Sequence, residues 1–294
     1  MKKVVLFGAG AGGKRGLNYY KNESGTEVIA ICDNNVALHG LSIGGVSVIP
    51  VSELRGLCFD EVVICSMFFK PILTQLKEIQ IEEEKIKIAP ARVVKGVSPM
   101  GRGDKYMLSK VLLKELSNLL QKNHIPHYID HGTLLGIVRD NDLLPWDDDV
   151  DLGLPSEYAD QAFDLISIFL KTFTSDFSEN NRWRALKIDG DLDTPEGRKS
   201  CCRIIKIYNE DDINNPVKYV DFFITYKVGK KRYWKVGDCT LSVHSEIVEE
   251  LNLLPFEDHY LPAPINKEDY LTCLYKNWRV PNKEWSHSQY NNIC

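Results

Sequence analysis

Four carboxylates fall within five consecutive positions, Asp147-Asp148-Asp149-Val150-Asp151, inside an apolar frame that opens with Leu144-Pro145-Trp146 and continues into Leu152. Such a cluster repels itself, so the fold around it must supply a cation or an arginine. Side chains alternate along a strand, which sends Asp149 and Asp151 to one face while Val150 and Leu152 enter a core. The two carboxylates then stand about 7 Å apart along the strand. Carboxylate oxygens in a run without adjacent Cys or His select a hard divalent cation, Mg²⁺ or Mn²⁺, over zinc.

Just upstream lies His131-Gly132-Thr133-Leu134-Leu135-Gly136-Ile137-Val138-Arg139. Gly132 and Gly136 frame a turn into a short helix, and Gly132, Thr133 and Gly136 are expected to lie against phosphate oxygens, with Arg139 further in. A glycine turn followed by an Asp-x-Asp strand is the pattern of the nucleotidyltransferase fold, which generally takes a third carboxylate from a neighbouring strand. Asp221, in Tyr219-Val220-Asp221-Phe222-Phe223-Ile224, is the candidate, because an acid in an apolar strand is costly to bury without a partner. The expected metal set is therefore Asp149, Asp151 and Asp221, with Asp147 and Asp148 either supporting carboxylates or loop-formers. Phosphoryl transfer needs positive charge on the non-bridging oxygens. Arg139, Arg203 and Lys206 are candidates, against the alternative of ordinary ion pairs with the acids.

Other residues suggest metal or ligand sites less well. His124, His127 and His131 are not on one helix, since Pro126 intervenes, and only His131 abuts the glycine turn. Tyr270, Tyr275, Trp278 and Trp285 would suit a quaternary ammonium ion by cation–π contact, but such aromatics more often pack a core.

At the N-terminus, Gly8-Ala9-Gly10-Ala11-Gly12-Gly13 fits GxGxxG at 8, 10 and 13, directly after the strand-like Val4-Val5-Leu6-Phe7, and Asp33 closes the next strand. Gly8, Gly10 and Gly13 would admit a phosphate at a helix N-terminus, Asp33 would take ribose hydroxyls, and Lys14 and Arg15 would add charge. Residues 3 to 90 alternate β-branched runs with helices expected near 12–22 and 69–79, which implies a parallel α/β sheet. A Pro- and Gly-rich stretch at 90–104 reads as a linker. Beyond it a helix from Asp104 to about His124, short strands at 128–130 and 150–152, a helix capped by Ser156, and strands at 183–188, 203–208, 219–224 and 232–236 give an α+β domain. The segment from Pro255 reads as loop-rich, with a helix near 267–277. The chain is thus expected as a Rossmann-like domain at 1–95, binding a nucleotide or nucleotide sugar, and a catalytic domain at 96–294.

Composition removes several function classes. With 294 residues and a net charge of −5, the chain has no general attraction for nucleic acid. No apolar run approaches the roughly 18 residues of a membrane helix, and the start resembles a signal peptide only until its apolar run breaks into glycines. Eight cysteines without CxxC pairs suit a reducing cytoplasm.

HGTLLGIVRD, PWDDDVDLGLP, VDFF, and then Pro262-Ala263-Pro264 with Tyr270-Leu271 and Tyr275 together resemble the LicD family of phosphotransferases, to which the fukutin-type proteins are related, across about residues 104–290. The resemblance implies Mg²⁺-dependent transfer of a phosphorylated alcohol such as phosphocholine from a CDP-linked donor to a sugar hydroxyl of a soluble or lipid-linked cell-surface glycan. The first domain more faintly resembles Rossmann-like domains that accompany glycan-modifying enzymes. Two alternatives stay open: transfer of NMP from an NTP, and a non-catalytic regulatory protein that binds nucleotide sugars. An NAD dehydrogenase has only the glycine turn in its favour.

Overall fold

Val4-Val5-Leu6-Phe7 is apolar without alternation because both faces of its strand are covered, as in the middle of a parallel sheet. The computed structural model describes residues 1–96, 99–177, 182–210, 217–282 and 285–294. The chain divides into two units, Met1–Val97 with Asn282–Gln289, and Ser98–Pro281 with Tyr290–Cys294.

In the first unit, β1 (Lys2–Phe7), α1 (Ala11–Lys21), β2 (Thr26–Cys32), β3 (Ser42–Ile43), β4 (Val46–Ile49), β5 (Glu61–Ile64), α2 (Phe69–Glu78), β6 (Ile86–Ile88) and α3 (Ala91–Lys95) follow in order. The sheet runs β3-β4-β2-β1-β5-β6, parallel except at β3. The strand order switches sides at β1, running through β2 and β4 on one side and β5 and β6 on the other, so this is a Rossmann-like α/β sheet with its crevice at the turn after β1. Part of the expected linker is α3. It belongs here because Arg15 donates to the Val94 carbonyl, so Arg15 ends a helix rather than offering charge to a phosphate. Residues 282–289, expected with the second domain, also cluster with this unit; the Ala91 N–H donates to the Trp285 carbonyl at 3.4 Å.

The glycine turn is built by steric necessity. Gly8 has φ +117°, and a methyl at Gly13 would fall on the Gly8 carbonyl oxygen, whereas a methyl at Gly10 would meet no atom within 4 Å. Burial pushes the thiols of Cys32 and Cys65 beneath it up to about 12, so they pack as small apolar groups.

The second unit begins with α4 (Asp104–Lys122), β7 (Tyr128–Ile129), α5 (His131–Asp140), β8 (Val150–Pro155) and α6 (Ala159–Leu170). It continues with β9 (Trp183–Thr194), β10 (Gly197–Asn209), β11 (Val217–Val228), β12 (Lys231–Val236), β13 (Cys239–His244), α7 (Ser245–Glu249), β14 (Leu251–Phe256), β15 (His259–Pro264) and α8 (Lys267–Tyr275). The long β11 is the spine of this α+β unit: β10 pairs along one edge, and on the other β8 runs parallel over Val220–Thr225 before β12 takes Tyr226–Val228. Leu112, Leu113, Leu116 and Leu120 of α4 are buried on one face of this sheet.

Two sequence expectations change here. Ser156 does not cap a helix; its hydroxyl bonds Glu157, and α6 starts at Ala159 without a side-chain cap. The segment after Pro255 is not a loop but the hairpin β14–β15, in which Pro255, Pro262 and Pro264 are tolerated because a two-stranded ribbon leaves outward N–H positions unused. His127 is no ligand: its Nε2 lies 2.9 Å from Ser117 Oγ and its Nδ1 2.9 Å from the Ile125 carbonyl.

Burial holds the His127 imidazole neutral and pushes its pKa down to about 4 from 6.5. The unfolded chain takes up that proton near pH 6.5 and the folded chain only near pH 4, so stability falls as pH drops through this window, by roughly 3 kcal/mol at the lower end. Thermal melts at pH 7 and pH 5 should show a smaller loss in His127→Gln than in the wild type. In the first unit, Gly13→Ala should cost about 3 kcal/mol or more through the clash with backbone, while Gly10→Ala should melt like the wild type in calorimetry.

Candidate functional site

One rung of the sheet carries the chemistry. Asp151 of β8 pairs with Asp221 of β11, and Asp221 pairs on its other side with Lys206 of β10. Neighbouring strands are about 4.8 Å apart, so register alone brings two acids and an ammonium side by side. Lys206 Nζ lies 2.5 Å from Asp221 Oδ2, and Asp221 Oδ1 is buried without a hydrogen-bond partner. Asp149, Asp151 and Asp221 are 5%, 8% and 5% exposed.

Asp149 reaches this place differently from the expected alternation. It precedes β8 in a bend, where one ligand oxygen from each of Asp147, Asp148 and Asp149 lies within 4.8 Å of the others. Asp147 is the link between the two groups. Its Oδ2 lies over Gly132, and Asp151 Oδ2 is 3.7 Å from where a Gly132 Cβ would be. A backbone clamp fixes the loop, with Met100 N–H donating to Asp147 O at 2.7 Å and Gly101 N–H to Pro145 O at 2.8 Å. Asp147 therefore stands among the site acids, a role that depends on a glycine fifteen residues upstream and is invisible to local spacing.

The glycine segment itself serves the carboxylates. Helix α5 starts at His131, so Gly132 and Gly136 are helical; Gly132 makes room for Asp147, and Gly136 for the Asp142 carbonyl and Leu144. Thr133 Oγ1 accepts the Asp151 N–H at 2.8 Å. Asp130 caps the helix, accepting the His131 N–H and the Tyr270 hydroxyl, each at 2.7 Å.

The expected cations separate. Lys206 is in the site. Arg139 forks onto Asp140 at 2.8 and 2.7 Å and donates to the Trp278 carbonyl at 3.2 Å, a pairing that holds the Asp140 carboxyl below the usual carboxylate range. Arg203 sits where β10 bulges and lies across Gly190 of β9, its Nε buried without a hydrogen-bond partner. The aromatics do not form one cage: Tyr270 binds Asp130, Trp278 donates to Thr272 at 3.1 Å, and Trp285 belongs to the first unit. In that unit Asp33 accepts the Ala9 N–H at 2.6 Å and the Asn35 N–H at 2.7 Å, tying the glycine turn of Gly8, Gly10 and Gly13 to the end of β2.

The donor set is oxygen alone, with the orphaned Asp221 Oδ1 among it, which fits a hard divalent cation such as Mg²⁺ or Mn²⁺ and not zinc. Gly132→Ala should displace Asp147 while helping the helix by up to about 1 kcal/mol. Mn²⁺ binding followed by calorimetry should weaken about tenfold or more, with a melting temperature no lower than wild type.

Two family models match the chain. Residues 124–266 match the family model described as LicD/FKTN/FKRP, nucleotidyltransferase domain, and residues 1–87 match one described as C2185-like, N-terminal. An uncharacterized protein of Rickettsia prowazekii (strain Madrid E) is 44% identical over 55 residues, 19% of this chain and 21% of the relative. Another from Rickettsia typhi (strain ATCC VR-144 / Wilmington) is 48% identical over 46 residues, 16% and 15% of the two chains. The matched stretch thus spans about a fifth or less of these relatives. Among solved structures, UDP-D-quinovosamine 4-dehydrogenase from Vibrio fischeri is 21% identical over 32% of this chain and 84% of that one, with a TM-score of 0.28. Biliverdin reductase from Synechocystis sp. PCC 6803 is 13% identical over 95% and 92%, with a TM-score of 0.26. Strand order and the glycine turn, not these likenesses, make the first domain Rossmann-like. With its acidic loop, β8 and Asp221 all inside the matched stretch, residues 124–266 form a nucleotidyltransferase domain of the LicD family, and a Rossmann-like domain precedes it.

Proposed function

We propose that this chain is a Mg²⁺- or Mn²⁺-dependent phosphotransferase that moves a phosphorylated alcohol from a CDP-linked donor to a sugar hydroxyl of a glycan. The observation that carries this reading is the rung Asp151–Asp221–Lys206 with Asp147 folded over Gly132 beside it. Asp147, Asp149, Asp151 and Asp221 are the residues that would hold the cation. When bound, it neutralises charge on the donor diphosphate and on the departing CMP.

The chain's own residues do the rest. Lys206 fixes Asp221 so that Oδ1, not Oδ2, is left for a ligand, and Thr133 fixes the strand that carries Asp151. The acceptor hydroxyl oxygen forms a bond to the donor phosphorus, the bond from that phosphorus to the CMP oxygen breaks, and the hydroxyl proton passes to a carboxylate of the cluster. Arg203, with a buried Nε that has no protein partner, is the remaining candidate for a non-bridging phosphate oxygen. Arg139, occupied by Asp140 and Trp278, acts as a brace for α5.

In the first domain, the open space at Gly10 supports a nucleotide or nucleotide-sugar ligand at the glycine turn. No helix among the described residues is long and apolar enough to cross a membrane; a soluble or lipid-carried acceptor at the cytoplasmic face accords with this reading.

Nucleotide release from CDP-choline, CDP-glycerol, CDP-ribitol and the common NTPs, with Mg²⁺ and candidate acceptors, tests the proposal. CMP should appear from a CDP-alcohol and fall by at least about a hundredfold in Asp151→Asn and Asp221→Asn. Pyrophosphate from an NTP would replace it with nucleotidyl transfer, and metal binding without turnover would favour the regulatory alternative.

A further inference from the structure

His131 opens α5 with a φ of +42°, in the left-handed region where a side chain crowds the backbone and glycine is the usual occupant. The glycine stands one residue later. Gly132 is an ordinary helical residue, and a Cβ there would fall on Asp147 Oδ2. Two adjacent positions thus call for glycine, one for its backbone and one for its missing side chain, and the chain places it under the carboxylate. A non-glycine residue at positive φ persists where its surroundings over-determine it. His131 is held in that way.

Both ring nitrogens are engaged inside the protein. The Trp234 indole N–H lies 3.1 Å from Nε2, and an indole nitrogen only donates. Nε2 is therefore the acceptor, and the hydrogen of the neutral imidazole sits on Nδ1. Nδ1 is 3.0 Å from Tyr290 Oη, so Nδ1–H donates and the hydroxyl oxygen accepts. The His131 backbone N–H is held by Asp130 Oδ1 at 2.7 Å, and the ring meets Phe223 edge-on, with centres 4.7 Å apart. His131, Trp234 and Tyr290 are all buried.

The two arms of this clamp are mounted on the sheet that carries the acids. Trp234 of β12 pairs with Leu241 of β13, and Leu241 bridges to Ile293. Ser242 N–H donates to Asn292 O at 3.2 Å and Cys294 N–H to Thr240 O at 2.9 Å, which lays residues 290–294 along the outer edge of β13 and brings Tyr290 to His131. β12 in turn joins β11, the strand of Asp221 and Phe223. Resting on the cation reading above, we propose that Trp234 and Tyr290 hold His131 in its left-handed backbone so that Gly132 receives Asp147 beside Asp151. His131, Trp234 and Tyr290 are then positioning residues for the cation, and the segment 290–294 belongs to the architecture of the site. Without the clamp, His131 relaxes to a negative φ, the first turn of α5 shifts, and the space over Gly132 no longer meets Asp147.

Mn²⁺ titration followed by calorimetry, with thermal melts, compares wild type, Tyr290→Phe, His131→Asn and His127→Gln. Spectra of ¹⁵N-labelled imidazoles report the tautomer. Tyr290→Phe removes only the hydroxyl that takes Nδ1–H, whereas His131→Asn keeps a residue that tolerates the left-handed region and loses both ring contacts. His127→Gln is the control, a buried imidazole that bonds Ser117 and the Ile125 carbonyl instead. The expected result is an Nδ1–H tautomer at His131 and Mn²⁺ binding about tenfold weaker or more in Tyr290→Phe and His131→Asn, with wild-type affinity in His127→Gln. Wild-type Mn²⁺ affinity in the folded Tyr290→Phe and His131→Asn proteins, whatever their melting temperatures, would overturn the positioning role and leave the cation reading standing. An Nε2–H tautomer in the wild type would overturn the clamp itself, and that measurement holds even if Tyr290→Phe fails to fold. A wild-type protein that binds no Mn²⁺ would sink the cation reading and the positioning role with it.

Discussion

Burying several carboxylates within a few ångströms of one another is the constraint from which the second domain follows. Each buried charge costs several kcal/mol unless paired or hydrogen-bonded, and like charges at this range raise the cost further. Lys206 meets Asp221 directly. That pair, set beside Asp151, requires β11 to have a neighbour on each side at the same level, β8 bringing Asp151 and β10 bringing Lys206. A strand at the edge of the sheet cannot do this, which is why β11 is central and long, and why α4 must cover its opposite face.

Much of this was legible in the residues. Alternation in Val150-Asp151-Leu152 and in Val220-Asp221-Phe222 placed both acids on the same kind of surface, and the register between the two strands then made them neighbours. Asp147 was not legible, because its place is set by a glycine in a helix and by a clamp from Met100 and Gly101, contacts that no periodicity encodes. Arg139 misled for a related reason: guanidinium near an acidic cluster suggests phosphate, yet the carboxylate next in sequence, Asp140, takes it in a two-pronged pair. The hairpin after Pro255 was hidden by its prolines, which break the usual strand signature while leaving a two-stranded ribbon intact.

Glycine solves opposite problems in the two domains. At Gly13 the missing side chain lets a helix sit on the backbone of its own preceding turn, a contact between neutral groups that fixes the geometry of the Rossmann-like crevice. At Gly132 it lets a charged side chain lie against the first turn of α5, where the helix dipole and the unpaired N–H groups favour negative charge. The first use is a packing requirement and the second an electrostatic one, so the same residue type carries different information in each place.

The positive groups sort by the same logic. Arginine has five donors in a rigid fork and pairs best with a carboxylate that meets it side-on, as Asp140 meets Arg139. Lysine is a compact charge with one contact point, so Lys206 can hold Asp221 Oδ2 and still leave Oδ1 for something else. An arginine at 206 would tend to take both oxygens of Asp221 and close the rung as a purely structural ion pair. That the rung carries lysine, and that the arginine is spent outside it, leaves Asp221 Oδ1 buried and unsatisfied beside the other acids, a cost that a bound cation would offset.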